Sequence, residues 1–197
     1  MDEQLELMGV SPSRPLTLNL FLAIFPAAEA VNQMLALGPW LRSSLGLGSK
    51  LVHPDRLHLT LQWLGEFAEM PDRVAAAAGR ACETISARSA PCNIRLDRVI
   101  RLGGEAITLA AGKDDNAGLR ELHQALDVEL TRNACPRPKG SRLAFTPHVT
   151  LLYDRKDVDA GLPEPICWQA SEIALVCSEK GTTQYHRLGH WNLRSGA

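Results

Sequence analysis

The sequence predicts an α+β fold of two similar lobes, each a mainly antiparallel sheet with helices packed outside, and a cleft between the lobes. Two observations support this prediction. Strand-like and helix-like segments alternate in the order β-α-β-α-β-β-α-β-β-β, whose adjacent strands argue against a doubly wound parallel sheet. The tetrad His-x-Thr-Leu occurs twice, at residues 58–61 and 148–151, each time in a strand-like segment that follows a helix. We hypothesise that an ancient duplication produced the two lobes.

The first half of the chain contains four segments with regular patterns: a strand over residues 16–25, a helix over 27–37 with a further turn over 40–45, the first motif strand over 57–64 and a helix over 71–88. Pro26 ends the first strand and stands near the start of the helix, where its missing N–H is tolerated. Gly38 and Pro39 interrupt the helical pattern. In the last helix, Val74 and Ile85 belong to one apolar face.

The second half is predicted to contain strands over residues 94–102 and 106–111, a helix over 116–133, the second motif strand over 145–153, and final strands over 171–177 and 184–193. Gly103 and Gly104 form a good hairpin turn between the first two strands. Leu119 to Leu130 repeat at helical spacing. Because His123 lies on that apolar stripe, we expect it to pack rather than to react.

Length and composition indicate one globular domain. We expect residues 1–14 to form a loose tail and residues 15–197 to form a single bilobal domain, because no linker-like segment divides them. The formal net charge of −1 argues against a protein that coats long nucleic acid. It leaves room for a local basic patch that binds an RNA end.

The chain is expected to act in the cytoplasm, as a monomer and without a membrane segment. Its five cysteines are odd in number and widely spaced, which favours a reducing compartment. The acidic N-terminus does not resemble a signal peptide. The apolar runs are too short to span a bilayer.

The two motifs predict a set of reactive groups on one face of the sheet. In a strand, residues i and i+2 share a face, so His58 points with Thr60 and His148 with Thr150. The alternating Leu and Val residues anchor each strand in the core, and by the same rule Trp63 is expected in the core. Two imidazoles and two hydroxyls facing one cleft could cut a phosphoester without a metal. We expect no metal or other cofactor, since no carboxylate accompanies either histidine.

A basic segment leads into the second motif strand. Between Arg132 and Tyr153 the chain has no acidic residue, and it carries Arg137, Lys139 and Arg142. Prolines and a glycine make this segment a loop. It is therefore a candidate RNA-binding element at the mouth of the cleft. Two aromatic residues on the last hairpin, Tyr185 and Trp191, could stack on a base, but we expect them to pack.

The motifs and their flanks resemble the two-histidine phosphoesterase superfamily, and within it the bacterial RNA 2′,3′-cyclic phosphodiesterases, also called 2′-5′ RNA ligases. The similar stretches are LNLFLAIFP, DRLHLTLQWLGE, FTPHVTLLYDR and the closing IALVCSEKG…YHRLGHWNL. Together they cover about residues 16–193. The chain departs from some members in one place: Leu152 replaces a basic residue after the second motif, and Arg155 is the nearest substitute for contact with RNA.

The resemblance implies hydrolysis of RNA 2′,3′-cyclic phosphate ends to a 2′-phosphate. It implies that His58 is the general acid on the 3′ oxygen and that His148 is the general base on water. Thr60 and Thr150 would donate hydrogen bonds to phosphate oxygens. The residues alone do not decide which histidine is the acid.

Three alternatives use the same cleft. RNA 2′-5′ ligation could occur as a side or reverse reaction. The enzyme could instead cleave 2′-5′ linked oligonucleotides or small cyclic nucleotides. A non-catalytic module that binds RNA ends would use the same residues without turnover.

Overall fold

The computed structural model describes residues 17–112, 116–136, 138, 145–181 and 184–194. These residues form the following strands and helices: β1 (Leu18–Ile24), α1 (Ala28–Ala36), α2 (Gly38–Leu45), a short 3-10 turn (Pro54–Arg56), β2 (Leu59–Phe67), α3 (Asp72–Ser86), β3 (Cys92–Arg101), β4 (Ala106–Ala110), α4 (Ala117–Arg132), β5 (His148–Tyr153), β6 (Asp159–Ala170), β7 (Glu172–Glu179) and β8 (Tyr185–Asn192). The expected tail over residues 1–14 lies outside the described residues.

The strands form one sheet in the order β6-β3-β4-β5-β2-β1-β7-β8. Neighbouring strands pair antiparallel along the whole sheet. The junction of β5 with β2 divides the sheet into two four-stranded halves, and a motif strand is the innermost strand of each half. The predicted α+β fold with two similar lobes is therefore confirmed.

The main core lies between the helices and one face of this sheet. On β1, Leu20, Leu22 and Ile24 point into that core and are almost fully buried, as their i, i+2 spacing requires. Burying each such side chain stabilises the fold by about 1.5–3 kcal/mol relative to its exposure. We call the opposite face of the sheet the cleft face; Phe21 and Ala23 point to it and belong to a smaller apolar cluster.

The sequence did not predict β6. This strand pairs with β3 at the edge of the sheet, and its register jumps from Gly161 opposite Arg98 to Ile166 opposite Leu96. Pro163 lies in the stretch of β6 that this jump skips, as does a second proline two residues later. Proline cannot donate to a strand ladder, so an edge strand with an irregularity tolerates it. The two prolines therefore concealed the strand in the sequence.

The predicted hairpin between β3 and β4 is confirmed. Gly103 and Gly104 have φ angles of +64° and +52°, a conformation that glycine adopts without strain. The expected break before Pro39 also occurs, since α1 ends at Ala36 and α2 begins at Gly38. Within the described ranges, every helix is too short or too polar to cross a bilayer.

Candidate active site

The two motif strands meet at the centre of the sheet. Leu59 of β2 lies opposite Val149 of β5, and both side chains are fully buried in the core. Residues one position before and after this pair must point to the other side of the sheet. The four motif side chains, at positions 58, 60, 148 and 150, therefore share the cleft face.

Each motif histidine is held by the same backbone contact. The Nδ1 atom of His58 lies 2.7 Å from the carbonyl oxygen of Arg56, and that of His148 lies 2.8 Å from the carbonyl oxygen of Thr146. A carbonyl can only accept, so both rings carry a proton on Nδ1. In the neutral ring, Nε2 is then left with a lone pair that can take a proton.

Each motif strand also contains a β-bulge at the same place. In the pairing of β1 with β2, Ala23 lies opposite Thr60 and Leu22 opposite Gln62, so Leu61 is skipped. In the pairing of β4 with β5, the residue three positions after His148 is skipped likewise. An extra residue in one strand reverses the inward and outward alternation beyond it.

The bulges bring an aromatic residue to the cleft face five positions after each histidine: Trp63 after His58 and Tyr153 after His148. The prediction that Trp63 is a core residue was therefore wrong. Its side chain is 38% exposed, and its indole N–H donates to Asn19 Oδ1 at 2.6 Å. Strict alternation could not reveal this position, because the bulge is set by the pairing with β1.

A cavity of about 340 Å³ opens on the cleft face beside the motifs. Its wall includes His58, Thr60 and Thr150, together with the aromatic side chains of Trp63 and Tyr153. A volume of this size suits a small ligand. The structure thus brings one histidine and both threonines of the predicted site to a single cavity.

The second histidine acts electrostatically on the first. Burial lowers the pKa of His58 from its ordinary value of 6.5, and the nearby charges of His148 and Arg56 lower it further, while the hydrogen bond to the Arg56 carbonyl opposes the shift. Burial also lowers the pKa of His148, against the opposing effect of its hydrogen bond to Thr146. Burial therefore favours the neutral form of both imidazoles when no anion is bound.

His58 is additionally surrounded by aromatic rings. The centroid of its ring lies 5.0 Å from that of Phe21, 6.2 Å from that of Phe25 and 5.3 Å from that of Tyr185. The expectation that Tyr185 packs is met by its edge-on contact with Phe21, and it lines the cavity as well. This aromatic surround keeps water from the ring and explains the strong desolvation.

Arg56 is a basic residue of the cavity wall that the sequence reasoning missed. It lies two positions before His58 and its guanidinium carbon lies 5.2 Å from the centre of the Tyr185 ring. Strand alternation could not have suggested it, because Arg56 belongs to the 3-10 turn before β2. At the opposite rim of the cavity, Lys180 pairs with Glu66 at 3.2 Å.

The candidate RNA-binding residues are not brought to the cavity by the described part of the structure. Arg155 is 90% exposed and its Nε lies 2.6 Å from Glu105 Oε1, away from the cavity wall. Arg137, Lys139 and Arg142 lie outside the described residues. His123 packs as expected, stacked on Phe145 with ring centroids 4.0 Å apart.

The cleft face provides two imidazoles and two threonine hydroxyls, of which His58 and both hydroxyls line the small cavity. Paired imidazoles with free Nε2 atoms can serve as acid and base for one displacement. The threonine hydroxyls can donate to oxygens that gain negative charge. Within the described ranges, groups of three or more His, Cys, Asp and Glu side chains do not converge to hold a metal ion.

A model of the 2′-5′ RNA ligase superfamily matches residues 27–182. Among solved structures, a protein described as a phosphoesterase is 25% identical, with 90% of this chain and 99% of that chain covered and a TM-score of 0.71. E. coli LigT complexed with phosphate is 26% identical over 91% of this chain and 99% of its own, with a TM-score of 0.64. LigT complexed with 3′-AMP is 24% identical over the same shares, with a TM-score of 0.70. None of the curated proteins compared with the chain matches it.

Proposed function

Because the chain belongs to the 2′-5′ RNA ligase superfamily, we propose that it hydrolyses RNA 2′,3′-cyclic phosphate ends to 2′-phosphates, with His58 and His148 as the acid and the base. The observation that carries the proposal is the matched pair of imidazoles. Each is fixed at Nδ1 by a carbonyl two residues earlier, so each can use Nε2 for proton transfer. The similarity to E. coli LigT, whose structure was solved in complex with 3′-AMP, supports a ligand of nucleotide size.

The proposed reaction is an in-line displacement at phosphorus. The Nε2 of His148 takes a proton from water as the water oxygen bonds to phosphorus. The bond from phosphorus to the 3′ oxygen breaks on the opposite side, and His58 gives its Nε2 proton to that oxygen. The products are a 2′-phosphate and a 3′-hydroxyl, and the two histidines end with their protonation states exchanged.

The threonines would stabilise the charge that develops on phosphorus during this step. Thr60 and Thr150 line the cavity beside His58, one from each half of the sheet. Their hydroxyls would donate to the two non-bridging oxygens of the phosphate. Donors that are half-buried on paired strands are already oriented, so they cost little reorganisation as the reaction proceeds.

In the proposed mechanism, binding of the substrate favours the protonated form of His58. His58 must be protonated to act as the acid, yet burial and its cationic neighbours lower its pKa. The anionic phosphate reverses part of this effect, since an adjacent negative charge favours the protonated imidazole. Binding of the anionic substrate would therefore raise the pKa of His58 and favour its protonation.

The decisive experiment uses a short RNA that ends in a 2′,3′-cyclic phosphate, incubated with the protein and excess EDTA. We expect a 2′-phosphate product, lost in both His58→Ala and His148→Ala. The matched control is His190→Ala, which removes an exposed histidine of β8 and should leave the rate unchanged. Turnover that needs an added metal, or that survives in both motif variants, would refute the proposal.

The same experiment separates the alternatives. A 2′-5′ linked dinucleotide and a 3′,5′-cyclic nucleotide in parallel reactions would reveal the other phosphodiesterase activities. Tight binding of the RNA without product would indicate an RNA-end binding module. As part of the proposal we place the reaction in the cytoplasm, where the five cysteines would remain in the free form that they have here.

A further inference from the structure

A second, larger cavity adjoins the candidate active site. Its volume is about 730 Å³, and it lies between the end of β1, the start of α1, the 3-10 turn and the start of β8. Six of its lining residues bear on its chemistry: Phe25, Asn32, Arg56, Tyr185, His186 and Arg187. We call it the annex cavity. Its size falls in the range of about 300–1,000 Å³ typical of small-molecule sites.

Arg56 and Tyr185 form the partition between the two cavities, because both residues line each of them. The Arg56 guanidinium lies 5.2 Å from the centre of the Tyr185 ring. Its Nε atom is buried and has no hydrogen-bond partner within the described part of the chain. A buried donor without an acceptor is costly, and an anion at the partition would satisfy it.

One part of the annex cavity wall is aromatic and basic. The Arg187 guanidinium carbon lies 3.9 Å from the centre of the Phe25 ring, which fixes a flat cationic surface along the wall. Asp55 also lines the cavity, but its side chain is 86% exposed and lies 3.4 Å from His53. Flat cationic and aromatic surfaces are the groups on which nucleobases stack.

The geometry of the proposed reaction indicates which part of the RNA lies near the annex cavity. In an in-line displacement, the ribose that carries the leaving oxygen lies on the side of the acid, away from the attacking water. His58 is the proposed acid, and the annex cavity begins beside it, at Arg56 and Phe25. The chain that continues from the 5′ oxygen of that ribose must therefore leave on the same side.

We propose that the annex cavity binds the nucleotide that precedes the terminal cyclic-phosphate nucleotide. Arg56 receives the phosphodiester between the two nucleotides, and the Arg187–Phe25 surface receives the base. The enzyme thereby selects RNA ends of two or more nucleotides over free cyclic mononucleotides. This inference rests on the proposed function, and specifically on His58 as the acid.

The test compares adenosine 2′,3′-cyclic monophosphate with an adenylyl dinucleotide that ends in the same cyclic phosphate. For the wild type we expect a kcat/KM that is about 10- to 100-fold higher for the dinucleotide, the effect of one further stacked base and one phosphate contact. Arg187→Ala should remove most of that advantage and leave the mononucleotide unchanged. Arg194→Ala, which removes an exposed arginine just beyond β8, should behave as the wild type.

Equal kcat/KM values for the two substrates in the wild type would overturn the inference. So would an Arg187→Ala variant that loses the same factor on both. If neither compound is hydrolysed, the proposed function fails. Affinities of the two compounds measured by calorimetry then test the annex cavity. A higher affinity for the dinucleotide that disappears in Arg187→Ala supports the inference, and equal affinities overturn it.

Discussion

The two motif strands share a backbone design and differ in their surroundings. A histidine stands just before β2 and another at the start of β5, each bonded to the carbonyl two residues earlier. Each is followed by a threonine, a bulge and an aromatic residue on the cleft face. Three aromatic rings and Arg56 surround His58, and the charge of Arg56 adds to the effect of burial in lowering the pKa of His58. The pKa of His148 is lowered by burial alone. The backbone is thus similar at the two motifs, whereas the side chains that surround the two histidines differ.

This difference bears on the proposed division of roles. A symmetric pair of histidines could exchange the roles of acid and base. The annex cavity, Arg56 and Tyr185 all lie on the side of His58, so a ribose with its chain has a place on that side. The proposed assignment of His58 as the acid comes from the resemblance, and the unequal surroundings of the two histidines are the feature that can test it.

The largest expected effect distinguishes acid from base directly. Removal of either His58 or His148 should lower kcat/KM for the all-oxygen cyclic phosphate by about 10³-fold, the scale of general acid–base catalysis. A substrate with sulfur in place of the 3′ bridging oxygen has a leaving group that needs no proton. With it, His58→Ala should recover to within about 10-fold of the wild type, and His148→Ala should not recover.

Initial rates with both substrates for the wild type and the two variants check this prediction. Recovery of His148→Ala in place of His58→Ala would exchange the assigned roles. It would also move the ribose to the other side of the cleft and remove the argument for the annex cavity.

The threonines are expected to have the next largest effect. Thr60→Val and Thr150→Val keep the shape and the strand preference but remove the hydroxyl, so each should lower kcat by about 10²-fold with little change in thermal stability. Thr60→Ser and Thr150→Ser keep the donor and should retain most of the activity. Kinetics and melting curves for the four variants separate the two roles. A valine variant that loses stability and not kcat would show that the threonine only supports the strand.

The threonines also show which parts of the candidate site the sequence can predict. The grouping of His58 with Thr60 depends on alternation within one strand, which the sequence displays directly. The position of Trp63 depends on a bulge that the neighbouring strand imposes. Arg56 meets Tyr185 of β8 because β7, the partner of β8, pairs with β1. Pairings of that kind join distant segments and leave no local pattern. The β6 strand was missed for a related reason, since its prolines are tolerated only at the edge where it lies.

The aromatic pair should produce a smaller effect, and the two halves should differ in it. If Trp63 and Tyr153 hold the terminal nucleotide in the cavity, alanine at either position should raise KM by about 10-fold and leave kcat nearly unchanged, as expected for a lost stacking contact. Trp63→Phe and Tyr153→Phe retain a ring and serve as controls. Because Trp63 is anchored to Asn19 and Tyr153 is 57% exposed, we expect the larger increase for Trp63→Ala. Steady-state kinetics of the four variants provide the measurement, and a loss in kcat with unchanged KM would contradict a binding role.

The smallest effect concerns pH, and it tests whether the charge of Arg56 lowers the pKa of His58. The pKa values of both histidines lie below the ordinary 6.5, and one ring must be protonated while the other is neutral. The profile of kcat/KM, which reports the free enzyme, should therefore be bell-shaped with its maximum below pH 6.5 and should fall as the acid loses its proton at higher pH. Arg56→Gln removes a cation that lowers the pKa of His58, so that pKa should rise. The limb that moves to higher pH shows whether the higher or the lower macroscopic pKa of the pair belongs mainly to His58, and a profile that stays in place would contradict the effect of Arg56. Because no comparable cation lowers the pKa of His148, we expect one limb to move and the other to stay, with Arg194→Gln as the control that should move neither.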